Sequence, residues 1–284
     1  MTERLGRADL HIHTLASDGT SGIEDILAQA MIVGLDVVAI TDHERIDAAV
    51  AARAFVRSRD MPIEVIVGEE VTTRGGHLLA LFIEEPIKPL RSLRWSIAAI
   101  HDQGGLAIPA HPLVPYPLCA QGFALRRLIA DPDLAVHPDA LETFNPTALG
   151  RPWHGRVVRF AAKYGLAAVG SSDAHAAAAV GCGHTSFPGR TADDLRTAII
   201  ERQTHWHGEF HGSRGQLWTF ARQLRKYGRD ARDEVRGRLL RTGTGRDHGY
   251  PGGHLRPPRY DESVEGRRSG HARPAAVPTE DRAS

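Results

Sequence analysis

Seven short apolar runs, at 8–13, 37–41, 63–70, 106–109, 140–144, 167–171 and 204–207, alternate with segments of helical periodicity, and this alternation constrains the fold more than any other feature. Strand and helix in turn argue for parallel βαβ units and against an antiparallel sandwich. With 284 residues and 42% hydrophobic content, the chain can build one large α/β barrel or two modest domains. A capping box at Ser21-Gly22-Ile23-Glu24 predicts a helix to Gly34, and Asp47 is the expected N-cap of a second, Ala48 to Arg59. Further helices are expected from Leu90 to Gln103, from Pro152 to Tyr164 before Gly165, and from Asp193 to Glu201. Residues 71–83 read as a hairpin with a Gly turn, 113–139 as a proline-rich irregular excursion, and the stretch before Asp193 as a loop.

In parallel α/β barrels, functional side chains gather at the C-terminal strand ends. His43, Glu70, His111, Asn145, Asp173 and His175 all follow such an end here. His11 and His13 lie two apart on the first strand, so both imidazoles project to one face. Asp18, in a Ser17-Asp18-Gly19 turn, adds a hard oxygen to two borderline nitrogens. This mixture of donors is the start of a divalent cation site, although a lone His-x-His on a strand is more often a surface or structural feature.

Composition narrows the setting. Two cysteines, Cys119 and Cys182, make no disulfide framework, and no run approaches the apolar length of a membrane span. Met1 to Arg7 is polar and is not an export leader, so a reduced, cytoplasmic setting is expected. Residues 211–284 hold 16 of the 35 basic residues and 9 of the 34 acidic ones, so this tail is net +7 and the body net −6. A basic amphipathic helix is expected at 211–240 and disorder at 241–284, with an electrostatic contact to RNA as the tail's expected contribution. Cys182, in Gly181-Cys182-Gly183-His184, lacks the pattern of a nucleophile elbow or phosphatase loop, which argues against a covalent mechanism.

Taken in order, His11-Ile12-His13, Asp18-Gly19, Thr41-Asp42-His43, Gly68-Glu69-Glu70-Val71, Ala110-His111-Pro112 and Ser172-Asp173-Ala174-His175 resemble the motifs of PHP (polymerase and histidinol phosphatase) metal-dependent phosphoesterases. The resemblance spans residues 9–175 and extends in architecture to about 210. It implies a distorted (βα)7 TIM-like barrel over 1–210 holding two or three divalent ions. One ion would be held by His11, His13, Glu70 and Asp173, with Glu70 bridging to a second on His111; a third would take Asp18, His43 and His175. Imidazoles mixed with carboxylates suit Mn, Fe or Zn better than Mg.

Where many members carry a further His or Cys ligand, this chain reads Leu141-Glu142-Thr143-Phe144-Asn145, so Asn145 stands there as an amide-oxygen ligand or beside a water. That arrangement resembles the branch acting on 3′,5′-nucleoside bisphosphates and short RNA 5′ ends. It implies hydrolysis of a nucleotide or oligonucleotide phosphate by a metal-activated water attacking phosphorus in line. The alternatives are a phosphatase of another small phosphomonoester, such as histidinol phosphate, and a non-catalytic PHP binding or regulatory module. Arg151 and His184, with Trp153 as a stacking face, are candidate contacts to phosphate or base. His77 resembles a position near the site in relatives, Asp42 reads as a supporting residue and Glu69 as structural or solvated. His101, His137, His154, His205 and His207 are assigned ordinary packing or surface roles.

Overall fold

The computed structural model describes residues 4–116, 118–147 and 150–210. The expected basic helix at 211–240 and the expected disordered tail at 241–284 lie outside the described residues. Among those described, no helix is long and apolar enough to cross a membrane.

The fold is mixed α/β. Its larger sheet curls through seven strands, β1 (Gly6–Asp9), β2 (Val37–Ile40), β3 (Glu64–Thr73), β4 (Gly76–Leu81), β5 (Leu106–Pro109), β8 (Gly183–Phe187) and β9 (His205–Gly208). They are ordered β5-β4-β3-β2-β1-β8-β9, while β6 (Ala140–Phe144) and β7 (Ala167–Gly170) form a separate parallel pair. The helices are α1 (Ile23–Ile32), α2 (Asp47–Ser58), α3 (Leu93–Asp102), α4 (Gly122–Ile129), α5 (His154–Tyr164) and α6 (Ala192–Ile200).

The expected parallel pairing holds for β1–β2–β3 and β6–β7, and the hairpin expected at 71–83 is β3–β4. The contacts β3–β4, β4–β5, β1–β8 and β8–β9 are antiparallel, and no continuous ladder closes the described strands into one ring. The small sheet is joined to the large one by isolated bonds: Asp139 N to Ala107 O at 3.0 Å, Thr185 Oγ1 with Gly170 N and O at 2.9 and 2.8 Å, and Thr204 Oγ1 to Ala168 O at 2.9 Å. Strand β8 occupies what reads as loop, because Gly183, His184, Thr185 and Ser186 carry no apolar signal, whereas their backbone completes a ladder with β1. Helix α4 likewise lies inside the excursion.

Two local expectations are corrected. Ser21 does not cap α1; its Oγ accepts from Ala177 N at 3.0 Å, and Gly22 holds the cap position without a side-chain bond. Asp47 is the first residue of α2, not its cap, and forms a bidentate pair with Arg45. A complete capping box stands instead at Thr191 and Asp194, opening α6. At the β3–β4 turn, Gly76 has φ +121°, and a Cβ there would collide with the backbone of Ala120.

Strand alternation divides the core. Val38 and Ile40 belong to a layer with Ile26, Leu27, Ala52 and Ile97, whereas Val37 and Ala39 face a second cluster with Leu10, Leu79, Ile108 and Phe187. Leu195, Ala198 and Ile199 of α6 complete that second cluster. Arg190, Ala192 and Arg196 anchor the helix to Asp36, Glu64 and Gly104, which precede or begin β2, β3 and β5. Helix α6 therefore closes the N-terminal end of these strands, and their C-terminal end is left for the site.

Candidate metal centre

Beyond β1 the chain stays extended: Ile12 forms a parallel bridge with Ala174, and His13 N donates to Ala174 O at 2.8 Å. His11 and His13 consequently share a face, with ring centroids 5.0 Å apart, and both are fully buried. Asp42 fixes the following turn by accepting from Thr14 N and Oγ1 at 2.8 and 2.7 Å and from Ser17 N and Oγ at 3.1 and 2.5 Å. That clamp presents Asp18 to the cluster.

Glu70, 2% exposed, stands at the centre, and its two oxygens divide the imidazoles. Oε2 lies 3.3 Å from His11 Nε2, 3.3 Å from His13 Nε2 and 3.4 Å from His43 Nδ1. Oε1 lies 2.7 Å from His77 Nδ1 and 3.0 Å from His111 Nε2. Asp173 Oδ1 is 3.4 Å from both His11 Nε2 and His13 Nε2. Asp18 meets His13 Nδ1 at 3.4 Å, His43 Nε2 at 3.8 Å and His175 Nε2 at 3.1 Å. Two of these positions carry unusual backbone: His111 has φ +30° and Asp173 φ +50°, values that non-glycine residues rarely adopt.

Three buried imidazole nitrogens, His11 Nε2, His13 Nε2 and His77 Nδ1, lack a well-formed hydrogen bond although carboxylate oxygens surround them. Buried polar atoms are normally satisfied. Donors about 2.1 Å from a tetrahedral cation lie about 3.4 Å from one another, close to the separations around Glu70 and Asp173. Four overlapping triads bring their ligand atoms within 4.8 Å of one another: His11–His13–Glu70, His13–Asp18–His43, His13–Asp173–His175 and His43–Glu70–His77. The residues fit a group of divalent ions.

The electrostatics agree. Burial opposes charge on His11 and His13, yet neighbouring carboxylates outweigh it; His11 is raised well above the ordinary imidazole value and His13 to about 10. Burial likewise opposes ionisation of Glu70 and Asp173, but the surrounding imidazoles hold both well below the usual carboxylate range. His43, by contrast, is lowered to about 4 by its burial.

All eight expected ligands, His11, His13, Asp18, His43, Glu70, His111, Asp173 and His175, are thus brought together. Asn145 does not offer its amide oxygen: Oδ1 accepts from Thr147 N at 3.1 Å, and Nδ2 donates to Glu142 and Asp173 at 3.1 and 3.2 Å. His184 stands on β8, stacked on His207 at 5.1 Å, with no contact to the cluster among those described. Arg151 is exposed and lies over the Phe210 ring at 5.8 Å. Glu69 is buried and accepts from Ile87 N.

His77 stands near the site, as its resemblance implies, and two further residues, Cys119 and Glu142, enter it without having been singled out as ligands or supports. His77 on β4 contacts Glu70, Cys119 Sγ lies 3.3 Å from His111 Nδ1, and Glu142 lies 3.0 Å from His11 Nδ1. The signal for Glu142 is a charged residue in the middle of the apolar run Ala140–Phe144.

Comparison with known proteins accords with this geometry. A family profile described as PHP domain matches residues 9–129, and one described as PHP-associated matches 151–204. An uncharacterized protein of Methanocaldococcus jannaschii is 37% identical over 150 residues, 49% of this chain and 81% of that one. A 5′-3′ exoribonuclease of Haemophilus influenzae is 30% identical over 104 residues, 35% of this chain and 37% of the enzyme. In fold, the chain is similar to a two-domain Bacteroides vulgatus protein containing a predicted PHP-like metal-dependent phosphoesterase, with TM-score 0.60, 17% identity, and 78% and 70% of the two chains covered.

Fold and donor set together define a metal-dependent phosphohydrolase. The chain belongs to the PHP family.

Proposed function

We propose that this chain hydrolyses a phosphate ester of a nucleotide or short oligonucleotide, either a 3′,5′-nucleoside bisphosphate or an RNA 5′ end. The division of the Glu70 oxygens between two sets of imidazoles carries the reading, because it would let one carboxylate serve two divalent ions, whose chemistry suits phosphate-ester hydrolysis. His11, His13, Glu70 and Asp173 would hold one ion; Glu70, His111 and His77 a second; Asp18, His43 and His175 a third. The donor set suits Mn, Fe or Zn, and we take the curled sheet with its β6–β7 pair as the family's distorted (βα)7 barrel.

Bound divalent ions supply Lewis acidity to phosphoryl oxygens and acidify water. The chain's own residues do the rest. His43, kept neutral near physiological pH by burial, presents a free lone pair without first losing a proton. Asp42, through Thr14 and Ser17, holds the Asp18 turn rigid, so little reorganisation accompanies loading. An open cavity of about 400 Å³ adjoins Cys119, the neighbour of His111, and is lined by Arg74, Tyr116, Gln121 and Phe123. A cation beside two exposed aromatic rings suits a phosphate and a base, which supports the nucleotide reading, as does the relative named as an exoribonuclease. Arg151 and Trp153 are proposed as further contacts, and the basic tail and a cytoplasmic setting belong to the same proposal.

The test is turnover with added Mn²⁺ on 3′,5′-bisphosphonucleosides, 5′-phosphorylated RNA and DNA oligomers, and histidinol phosphate. Release of the 3′-phosphate from a bisphosphonucleoside, or cleavage at an RNA 5′ end, is expected, and either is abolished by His11→Ala or Asp173→Ala. A metal-loaded protein inactive on every phosphate defeats the reading.

A further inference from the structure

One carboxylate at the site has no task in that scheme. Glu142 lies in the middle of β6, is 1% exposed, and has His11 as its only ion-pair partner among the described residues. Its oxygens are divided. Oε1 lies 3.0 Å from His11 Nδ1, while Oε2 accepts from the backbone N of His111 at 2.5 Å and from Asn145 Nδ2 at 3.1 Å. The same Asn145 amide reaches Asp173 Oδ2 at 3.2 Å.

We propose that Glu142 is the positioning carboxylate of the centre, setting the tautomer of His11 and the backbone of His111 so that one side chain tunes two ion sites. The inference rests on the metal-centre reading above and extends it to a residue that touches neither ion nor substrate. A neutral imidazole carries one proton, and the partner of one ring nitrogen decides where it resides. When a cation takes the place of the proton at Nε2, Oε1 against Nδ1 would keep the remaining proton on Nδ1 and leave the Nε2 lone pair for the ion, on the side of Glu70 and Asp173. On the other side, the bond from His111 N to Oε2 holds a residue at φ +30°, a conformation that needs support from its surroundings. His11 follows β1 and His111 follows β5; Glu70 also reaches both, but at their Nε2 atoms, whereas Glu142 holds His11 at Nδ1 and His111 at its backbone N.

The isosteric change Glu142→Gln separates the two tasks. Gln has one acceptor oxygen and one donor NH₂, whereas three donors converge on Glu142. Turning the oxygen to His111 and Asn145 satisfies two of them and leaves one conflict, at His11 Nδ1. The opposite orientation creates two conflicts. The favoured orientation therefore makes Nδ1 an acceptor and moves the His11 proton to Nε2, the nitrogen aimed at the first ion.

The experiment uses the full chain and Zn²⁺ alone. Long-range ¹⁵N–¹H NMR locates the His11 proton in the zinc-loaded protein, and titration of the metal-free protein gives affinity and ions per chain. The wild type is expected to carry the proton on Nδ1. Glu142→Gln is expected to retain its circular dichroism, to move the proton to Nε2, and to bind zinc 10- to 100-fold more weakly. Glu142→Asp, which keeps two acceptor oxygens, is expected to restore Nδ1–H and part of the affinity, a rescue that mere filling of space does not give. A wild-type His11 protonated on Nε2 overturns the proposal, as does zinc affinity in Glu142→Gln equal to wild type. If Glu142→Gln does not fold, the wild-type tautomer and Glu142→Asp decide. A chain that binds zinc with the expected tautomer but turns over no phosphate defeats the phosphoesterase reading and leaves this one standing.

Discussion

His13 meets carboxylates on both ring nitrogens, Asp18 at Nδ1 and Glu70 with Asp173 at Nε2, and is raised to about 10. Below that pH the metal-free residue holds a proton that a cation must displace. Metal loading is therefore expected to release protons, with apparent affinity climbing as pH rises from 6 to 9. Isothermal titration in buffers of different ionisation enthalpy reads the number released; equal heats in all buffers contradict the expectation. The eight clustered positions were legible in the sequence because each lies on the first extended segment, in its turn or where an apolar run ends, where type and spacing suffice. His77 and Glu142 were less so because no apolar run ends at either of them. His77 enters through its register opposite Thr72, and Glu142 through the packing of β6 behind His11, neither of which local pattern encodes.

Among the elements, the β3–β4 hairpin carries a cost hidden in its middle. Glu69 alternates with Glu70 on β3, faces the other side, and is pushed up to about 8 by burial, while its Oε1 accepts from Ile87 N. The folded state thus keeps a proton that the unfolded chain gives up near the ordinary value of 4.5. Stability linked to Glu69 is full below about 4.5 and lost as pH rises toward 8. Glu69→Gln is expected to remove this slope, so that urea midpoints measured between pH 5 and pH 8 differ less than in the wild type. A slope unchanged by the substitution counts against the assignment. Most helices were legible within a few residues, since apolar periodicity and a following Gly survive any tertiary context. The caps were not: Ser21 has the sequence of a capping residue, but Ala177 N takes its hydroxyl. Strand β8 was hidden for a related reason, because its pairing with β1 depends on backbone rather than side chains.

For the whole molecule, alternation correctly indicated α/β layers and a site at one end, with α6 closing the other. It overstated regularity. Four of the seven described ladders, β3–β4, β4–β5, β1–β8 and β8–β9, are antiparallel, a choice of pairing that apolar runs leave open. The interruption between the two sheets has a mechanical consequence. His11, His13 and Glu70 come from the seven-stranded sheet or its extension, whereas Asp173 follows β7 of the small one, so a cation gripping all four would add a fastening to the scattered bonds and the shared apolar packing of Ala140, Ala167 and Val169 that join the two sheets. Stripping the metal is expected to speed amide hydrogen exchange in β6 and β7 more than in β2 and β3, as hydrogen-exchange mass spectrometry reads. Uniform acceleration across both sheets contradicts it. On this view bound ions would be rivets as well as reagents, closing the seam between the two sheets.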